Sequence, residues 1–226
     1  MGIYKRKLKD LQLMDWKVIN RKSSYSQLGE DRIIEFYLSP IRHKDSITYM
    51  DIGANHPYYL SNTALLDEEF HINKGVLVEP NPKLCKILKR KRKAICENVG
   101  VCGNDQKEVE LPYYVMNYDT LNTFSKVEVE KNLKNGYKLK KTINIPIINI
   151  NELLNKHFRD LELDVLSVDV EGMDYELVSS IDFEKFNPNV ICVETSHMEK
   201  EQMDSFLRGK GYELFGCTCE NSIYVK

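Results

Sequence analysis

Thr48-Tyr49-Met50-Asp51-Ile52-Gly53-Ala54-Asn55 is the stretch whose reading decides the fold. A short apolar run ends on a carboxylate, and a glycine and two small residues follow at once. This is the pattern of a buried parallel strand running into a tight turn beneath a ligand. Gly53 can adopt a positive φ and lets the backbone approach a ligand without a Cβ in the way. A second apolar run, Gly75-Val76-Leu77-Val78, ends on Glu79, 28 residues after Asp51. A βαβ unit needs roughly that length, and an acid ending its second strand is placed to accept hydrogen bonds from two ribose hydroxyls. The two strand ends therefore predict a site for a nucleoside-type cofactor.

Working downstream, Pro80-Asn81-Pro82 is a rigid turn into a helix with Leu84, Ile87 and Leu88 inward. The basic residues at 83, 86 and 89–93 read as a solvated helix end, since no aromatics interleave to stack bases. Residues 94–96 form a third strand with its exit at 99–101, and 109–115 an additional strand. Residues 117–141 are polar, rich in Asn and Lys, and read as a loop or lid on the substrate side. A strand at 142–148 and a short helix at 151–158 follow. Two further apolar runs, 165–169 and 189–194, end on Asp169 and Glu194, with His197 three residues beyond. A helix over 200–210 and strands over 212–215 and 222–225 close the chain.

Working upstream, Ser26 is an N-cap, with Glu30 and Asp31 in the first turn of a helix that Pro40 ends. Residues 1–23 are locally basic, with Leu8, Leu11, Met14, Val18 and Ile19 at helical spacing. They predict an amphipathic helix packing on the domain of residues 24–226 or on a second subunit, so self-association is allowed.

The 226 residues suit one α/β domain with that N-terminal appendage. Hydrophobic residues make up 42% and charged ones 29%, ordinary for a soluble protein. A net charge of −2 provides no general attraction to nucleic acid or membranes. The six cysteines contain no CxxC pair and read as reduced residues of the cytoplasm. No apolar run approaches the ~20 residues of a membrane span, and no signal peptide is expected.

Strands alternating with helices imply a parallel sheet that binds ligands at the carboxyl ends of its strands. Asp51, Glu79, Asp169 and Glu194 all end strands, so four acids are expected on one rim. A dinucleotide does not suit this rim. The turn after Asp51 has one glycine instead of GxGxxG, so a pyrophosphate lacks its usual seat. S-adenosylmethionine, a nucleoside with an amino-acid tail and no phosphate, fits better.

Several motifs in order carry a family resemblance: SQLGED at 26–31, DIGANHP at 51–57, LSNT at 60–63, VLVEPNP at 76–82, LSVDVEGMDYELV at 166–178 and ICVE at 191–194. The set resembles the FkbM family of S-adenosylmethionine-dependent methyltransferases over roughly residues 24–225. The resemblance implies a class I methyltransferase fold, Rossmann-like, with a seven-stranded, mostly parallel sheet, helices on both faces and an antiparallel last strand. It also implies O-methylation of a sugar hydroxyl, with a nucleotide-linked or surface-polysaccharide sugar such as a heptose as acceptor. By position in these motifs, Asp51, Gly53 and Asn55 would line the methionine end of the cofactor and Glu79 would hold its ribose. Asn81 would lie beside the adenosine, Gln27 and Ser61 would reach the carboxylate or amine, and Val99 would flank the adenine.

The acceptor proton must be dealt with. A general base contributes roughly 10²–10⁴-fold, and a divalent ion stabilises the developing alkoxide instead. Asp169, Glu194 and His197 suit either role, as catalytic residues or as ligands of Mg²⁺ or Mn²⁺. Two other classes stand beside the sugar reading. An RNA methyltransferase would use the basic segments, against the overall charge; a non-catalytic relative would keep the fold and lose turnover.

Overall fold

The computed structural model describes residues 24–41, 46–103, 109–195 and 197–226, the side chains of 41 and 197–199 excepted. The expected helix over residues 1–23 lies outside the described residues.

Seven strands form one sheet: β1 (Ile47–Ile52), β2 (Ile72–Val78), β3 (Ile95–Glu97), β7 (Val165–Val168), β8 (Val190–Glu194), β9 (Glu213–Cys217) and β10 (Asn221–Val225). Their spatial order is β3-β2-β1-β7-β8-β10-β9. The first five run parallel, and β10 is antiparallel to both β8 and β9. The strand order reverses at β1, between β2 and β7, which is where an open α/β sheet binds its ligand. This is the seven-stranded class I methyltransferase sheet expected above.

All six residues of β1 are buried, so both faces of the sheet are covered. Alternation along the strands divides the core in two. Met50, Ile52, Val76, Val78, Leu166 and Val168 pack toward α5 (Ile150–Phe158), α6 (Asp174–Ser179) and α7 (His197–Gly209). Ile47, Tyr49, Leu77, Val165 and Cys192 pack toward α1 (Glu30–Leu38), α2 (Leu66–Glu69) and α3 (Pro82–Lys91). Each buried Val, Leu or Ile contributes about 1.5–3 kcal/mol by leaving water. No helix among the described residues is long and apolar enough to cross a membrane.

The structure departs from the sequence reading in four places. Gly29, at φ +97°, is the N-cap of α1 in place of Ser26, whose hydroxyl instead accepts from the Gly29 and Asp31 amides within the preceding turn. The exit of the third strand is a strand of its own, β4 (Gly100–Cys102), in a second sheet of order β4-β6-β5, with β5 (Glu110–Met116) and β6 (Leu139–Asn149) antiparallel. Residues 117–141 are not a plain loop. They hold a 3-10 turn (Asp119–Leu121), helix α4 (Lys126–Lys134) capped by the Ser125 hydroxyl, and the start of β6. The helix buries only Val129 and Asn132, too little apolar surface to leave a period in the sequence. Finally, Arg92 is not part of a solvated helix end but is buried, 6% exposed.

Candidate active site

A cleft opens over the carboxyl ends of β1, β2 and β7, with the second sheet as its far wall. Its floor is the turn after β1. The amides of Gly53 and Ala54 both donate to the Val78 carbonyl, and the Asp169 amide donates to the Ile52 carbonyl. The turn is thus pinned between β2 and β7. Gly53 has φ +88°, and a Cβ there would lie 1.7 Å from the Asp169 carbonyl oxygen. Only glycine fits this crossing.

Glu79 ends β2 and lines the cleft. Its Oε2 accepts from the Asn55 amide at 2.9 Å and its Oε1 from the Asn81 amide at 2.7 Å. Each oxygen keeps a lone pair for a ligand hydroxyl. Burial pushes the carboxyl up to about 7, opposed by those two amides. The Asn81 side chain accepts from the Lys83 amide and caps α3, so one short turn both starts the helix and orients the acid.

Across β1 lie Asp169, Glu171 and Glu194. Burial, then the neighbouring Glu194 and Asp51, raise the Asp169 carboxyl well above the usual range. Glu171 is pushed up to about 9, by burial first and then by Asp169 and Glu194. Asp174, behind them, is pushed up to about 7, although it accepts from the Val170 and Gly172 amides. These carboxyls hold protons that isolated ones would release.

Three residues other than glycine have positive φ among the described residues, Asn55, Leu60 and Glu171, and all three line this cleft. Backbone of this kind costs about 1–3 kcal/mol per residue and persists where the surroundings impose it, commonly at functional sites.

Gln27 reaches the cleft from the turn before α1. Asp31 folds that turn by accepting from the Tyr25 amide and the hydroxyls of Ser24 and Ser26. Gly53, Asn55 and Val99 line the cleft as well. Asp51, Ser61 and Asn81 stand one layer behind its wall. Alternation puts Asp51 on the face of Tyr49, where its carboxylate accepts from the Thr63 hydroxyl at 2.6 Å. Ser61 accepts from the Ala64 amide and from Arg92. His197 begins α7, but its side chain lies outside the described residues. Among the described residues no three His, Cys, Asp or Glu side chains form a group that could hold a metal ion.

The second sheet brings residues that the sequence reading passed over: Tyr113, Asp119, Asn122, Thr123 and Phe124. It is tied to the rim on both sides of β1. Asn55 Nδ2 donates to the Asp119 carbonyl at 3.3 Å, and Thr123 Oγ1 donates to the Glu171 carbonyl at 3.1 Å. No short-range pattern announces such contacts, which join residues 48 or more apart.

The family model for the methyltransferase FkbM domain matches residues 51–214, most of the chain. The chain belongs to the FkbM methyltransferase family. A solved FkbM methyltransferase from Methylobacillus flagellatus KT superposes with a TM-score of 0.52 at 12% identity, covering 94% of this chain and 50% of that one. The present chain thus spans half the length of that relative. A precorrin-6y C5,15-methyltransferase from Geobacter metallireducens GS-15 matches with a TM-score of 0.42 at 14% identity, over 86% of this chain and 89% of that one. TrmK from M. capricolum, solved with S-adenosylhomocysteine, matches at 0.37 and 14%, over 84% and 66%. No curated protein matches.

The matched segment is a methyltransferase domain of the FkbM family, whose cofactor is S-adenosylmethionine. Its cleft suits that cofactor. Glu79 offers two oriented acceptor oxygens at the end of β2, and Gly53 leaves room where any side chain would intrude. Val99 and Val101 provide apolar wall near Glu79 for a nucleobase.

Proposed function

We propose that this FkbM-family protein transfers a methyl group to a hydroxyl oxygen of a sugar, carried on a nucleotide or in a surface polysaccharide, with a heptose among the candidates. The observation that supports it is the set of carboxyls of Asp169, Glu171 and Glu194 across β1 from Glu79. Carboxyl groups accept, and when protonated also donate, hydrogen bonds to the several hydroxyls of a sugar.

S-adenosylmethionine, when bound, supplies the electrophilic methyl group. Glu79 would hold its ribose, with Gly53 and Asn55 at the methionine end and Gln27 near its charged groups. The chain's remaining task is to orient the hydroxyl and take its proton. A sugar hydroxyl holds that proton nearly as tightly as the ~16 of bulk water, so a base whose own affinity is raised is better matched to it. Asp169 has that property, raised by burial first and then by Glu194 beside it, and it acts as base from its ionised form.

A second reading uses the same pair as ligands of Mg²⁺ or Mn²⁺, with His197 as the third. Its support is the mutual repulsion of Asp169 and Glu194, which a divalent cation relieves as well as a proton does.

Transfer of labelled methyl from S-adenosylmethionine to a panel of nucleotide sugars, with bulk tRNA as competitor, tests the acceptor class. Incorporation into RNA alone overturns the sugar reading. Asp169→Asn is expected to abolish turnover while leaving S-adenosylhomocysteine affinity within about twofold. Loss of turnover in EDTA, restored by Mg²⁺ or Mn²⁺, selects the metal reading over the base.

A further inference from the structure

The turn that carries Glu79 is poor in donors. Pro80 and Pro82 have no N–H, so across residues 79–82 only Glu79 and Asn81 can donate from the backbone. The Glu79 amide is committed to the Glu97 carbonyl of β3 at 3.0 Å, and the Asn81 amide to the Glu79 carboxyl at 2.7 Å. No N–H of the turn is left to brace the carbonyls of Glu79 and Pro80.

Asn98 supplies that brace. It follows β3 directly, where the chain passes from the main sheet to the second, and it is half-buried. Its Nδ2 donates to the Glu79 carbonyl at 2.8 Å and to the Pro80 carbonyl at 2.9 Å. Two carbonyl partners require nitrogen at that end of the side-chain amide, and each takes one of its two hydrogens. The Pro80 carbonyl and the Asn81 N–H belong to one planar peptide group and point in opposite directions. Holding the carbonyl from one side therefore aims the N–H from the other, and its target is Glu79 Oε1. A turn free to rotate would carry the carboxyl with it.

We propose that Asn98 is a positioning residue for the cofactor. By fixing the peptide between Pro80 and Asn81 it sets the direction of the Glu79 carboxyl toward the ribose hydroxyls. Asn98 acts through the turn, standing behind Val99, which lines the cleft. The inference rests on Glu79 holding the ribose.

Calorimetry with S-adenosylhomocysteine and its 2′,3′-dideoxy analogue, which lacks both ribose hydroxyls, separates positioning from a merely structural role. The unaltered protein should prefer S-adenosylhomocysteine. Asn98→Ala removes both donors, and Asn98→Asp keeps the shape while turning acceptors toward the two carbonyls. Either variant is expected to bind S-adenosylhomocysteine about tenfold more weakly, and the dideoxy analogue within about twofold of the unaltered protein. Thermal unfolding of each variant shows whether it is folded, and one folded variant is enough to decide. Equal loss toward both ligands, undiminished affinity for S-adenosylhomocysteine, or failure of both variants to fold overturns the proposal and leaves the ribose assignment standing. If the unaltered protein binds the two ligands equally, the ribose assignment itself fails and the proposal falls with it.

Discussion

Arg92 stands in a run of lysines and arginines, yet its guanidinium is enclosed. It pairs with Asp67 and donates to the Tyr49 hydroxyl, the carbonyls of Pro57 and Thr63, and the hydroxyls of Ser61 and Thr63. It fastens the 57–67 segment, which follows the cofactor turn, to the back of β1. Replacing it with Met removes the charge and keeps the stem, leaving those acceptors without their donor and Asp67 with the Tyr49 hydroxyl in place of the ion pair. The expected cost is about 3–5 kcal/mol, read as a lower midpoint in urea. Glu171 gives a pH signature. Its folded-state affinity for a proton is raised to about 9 from an unfolded value near 4.5. Below 4.5 both states are protonated and its contribution is complete. Between 4.5 and 9 the unfolded chain gives up the proton and the folded one keeps it, so stability falls as pH rises, by up to about 1.4 kcal/mol per unit. Asp174 adds to the lower part of that window. Glu171→Gln is expected to flatten the decline in melting temperature between pH 5 and 9; an unchanged slope would contradict the raised affinity.

Among the elements, the second sheet and the main one divide the labour. The β5–β6 pair is a continuous antiparallel ladder from Glu110 to Met116 with one register shift, whereas residues 117–125 hold to the rim by a few single bonds. Amides of the ladder are expected to exchange slowly in the free protein, and those of 117–125 faster. S-adenosylhomocysteine should slow the second group markedly and the first hardly at all. Mass-spectrometric hydrogen exchange measures both, and uniform protection without ligand would mean the rim contacts are stronger than they look. Helix α4 also shows what sequence periodicity misses. Its Ser125 cap and Glu128 in the first turn are proper start signals, but with Val127 and Leu133 facing water its apolar residues do not share a face.

For the whole molecule, the main sheet could be read from the chain because buried parallel strands are short apolar runs, and four of them end on acids at the functional rim. Gly53, Glu79, Asp169 and Glu194 were visible for that reason. Asp51 looked equivalent, yet the two-residue alternation turns it behind the wall onto Thr63. Tyr113, Asn122 and Phe124 were invisible because their place depends on a sheet folding back over residues far away in sequence. Ligand and fold are linked across both parts. S-adenosylhomocysteine at a hundred times its dissociation constant should stabilise the protein by about 2.7 kcal/mol. For a chain of this size that is roughly 5–10 °C in a calorimetric scan, with one transition if both sheets unfold together and two if the second melts first.

The second sheet leaves and rejoins the main body at one place. Asn149 Nδ2 donates to the Gly103 carbonyl at 2.9 Å, and β4 lies parallel beside the end of β6, Gly100 against Ile147. The excursion between those two residues is a cassette with a fastened mouth. Lengthening, shortening or swapping it shifts the register of none of the seven main strands, and doubling a flexible loop costs only about 0.6 kcal/mol of closure entropy. A graft spliced at 103 and 149 would keep Gly53, Glu79 and Asp169 on the main sheet and replace the far wall of the cleft. A lineage could revise its choice of acceptor in the same way, one exchanged segment at a time.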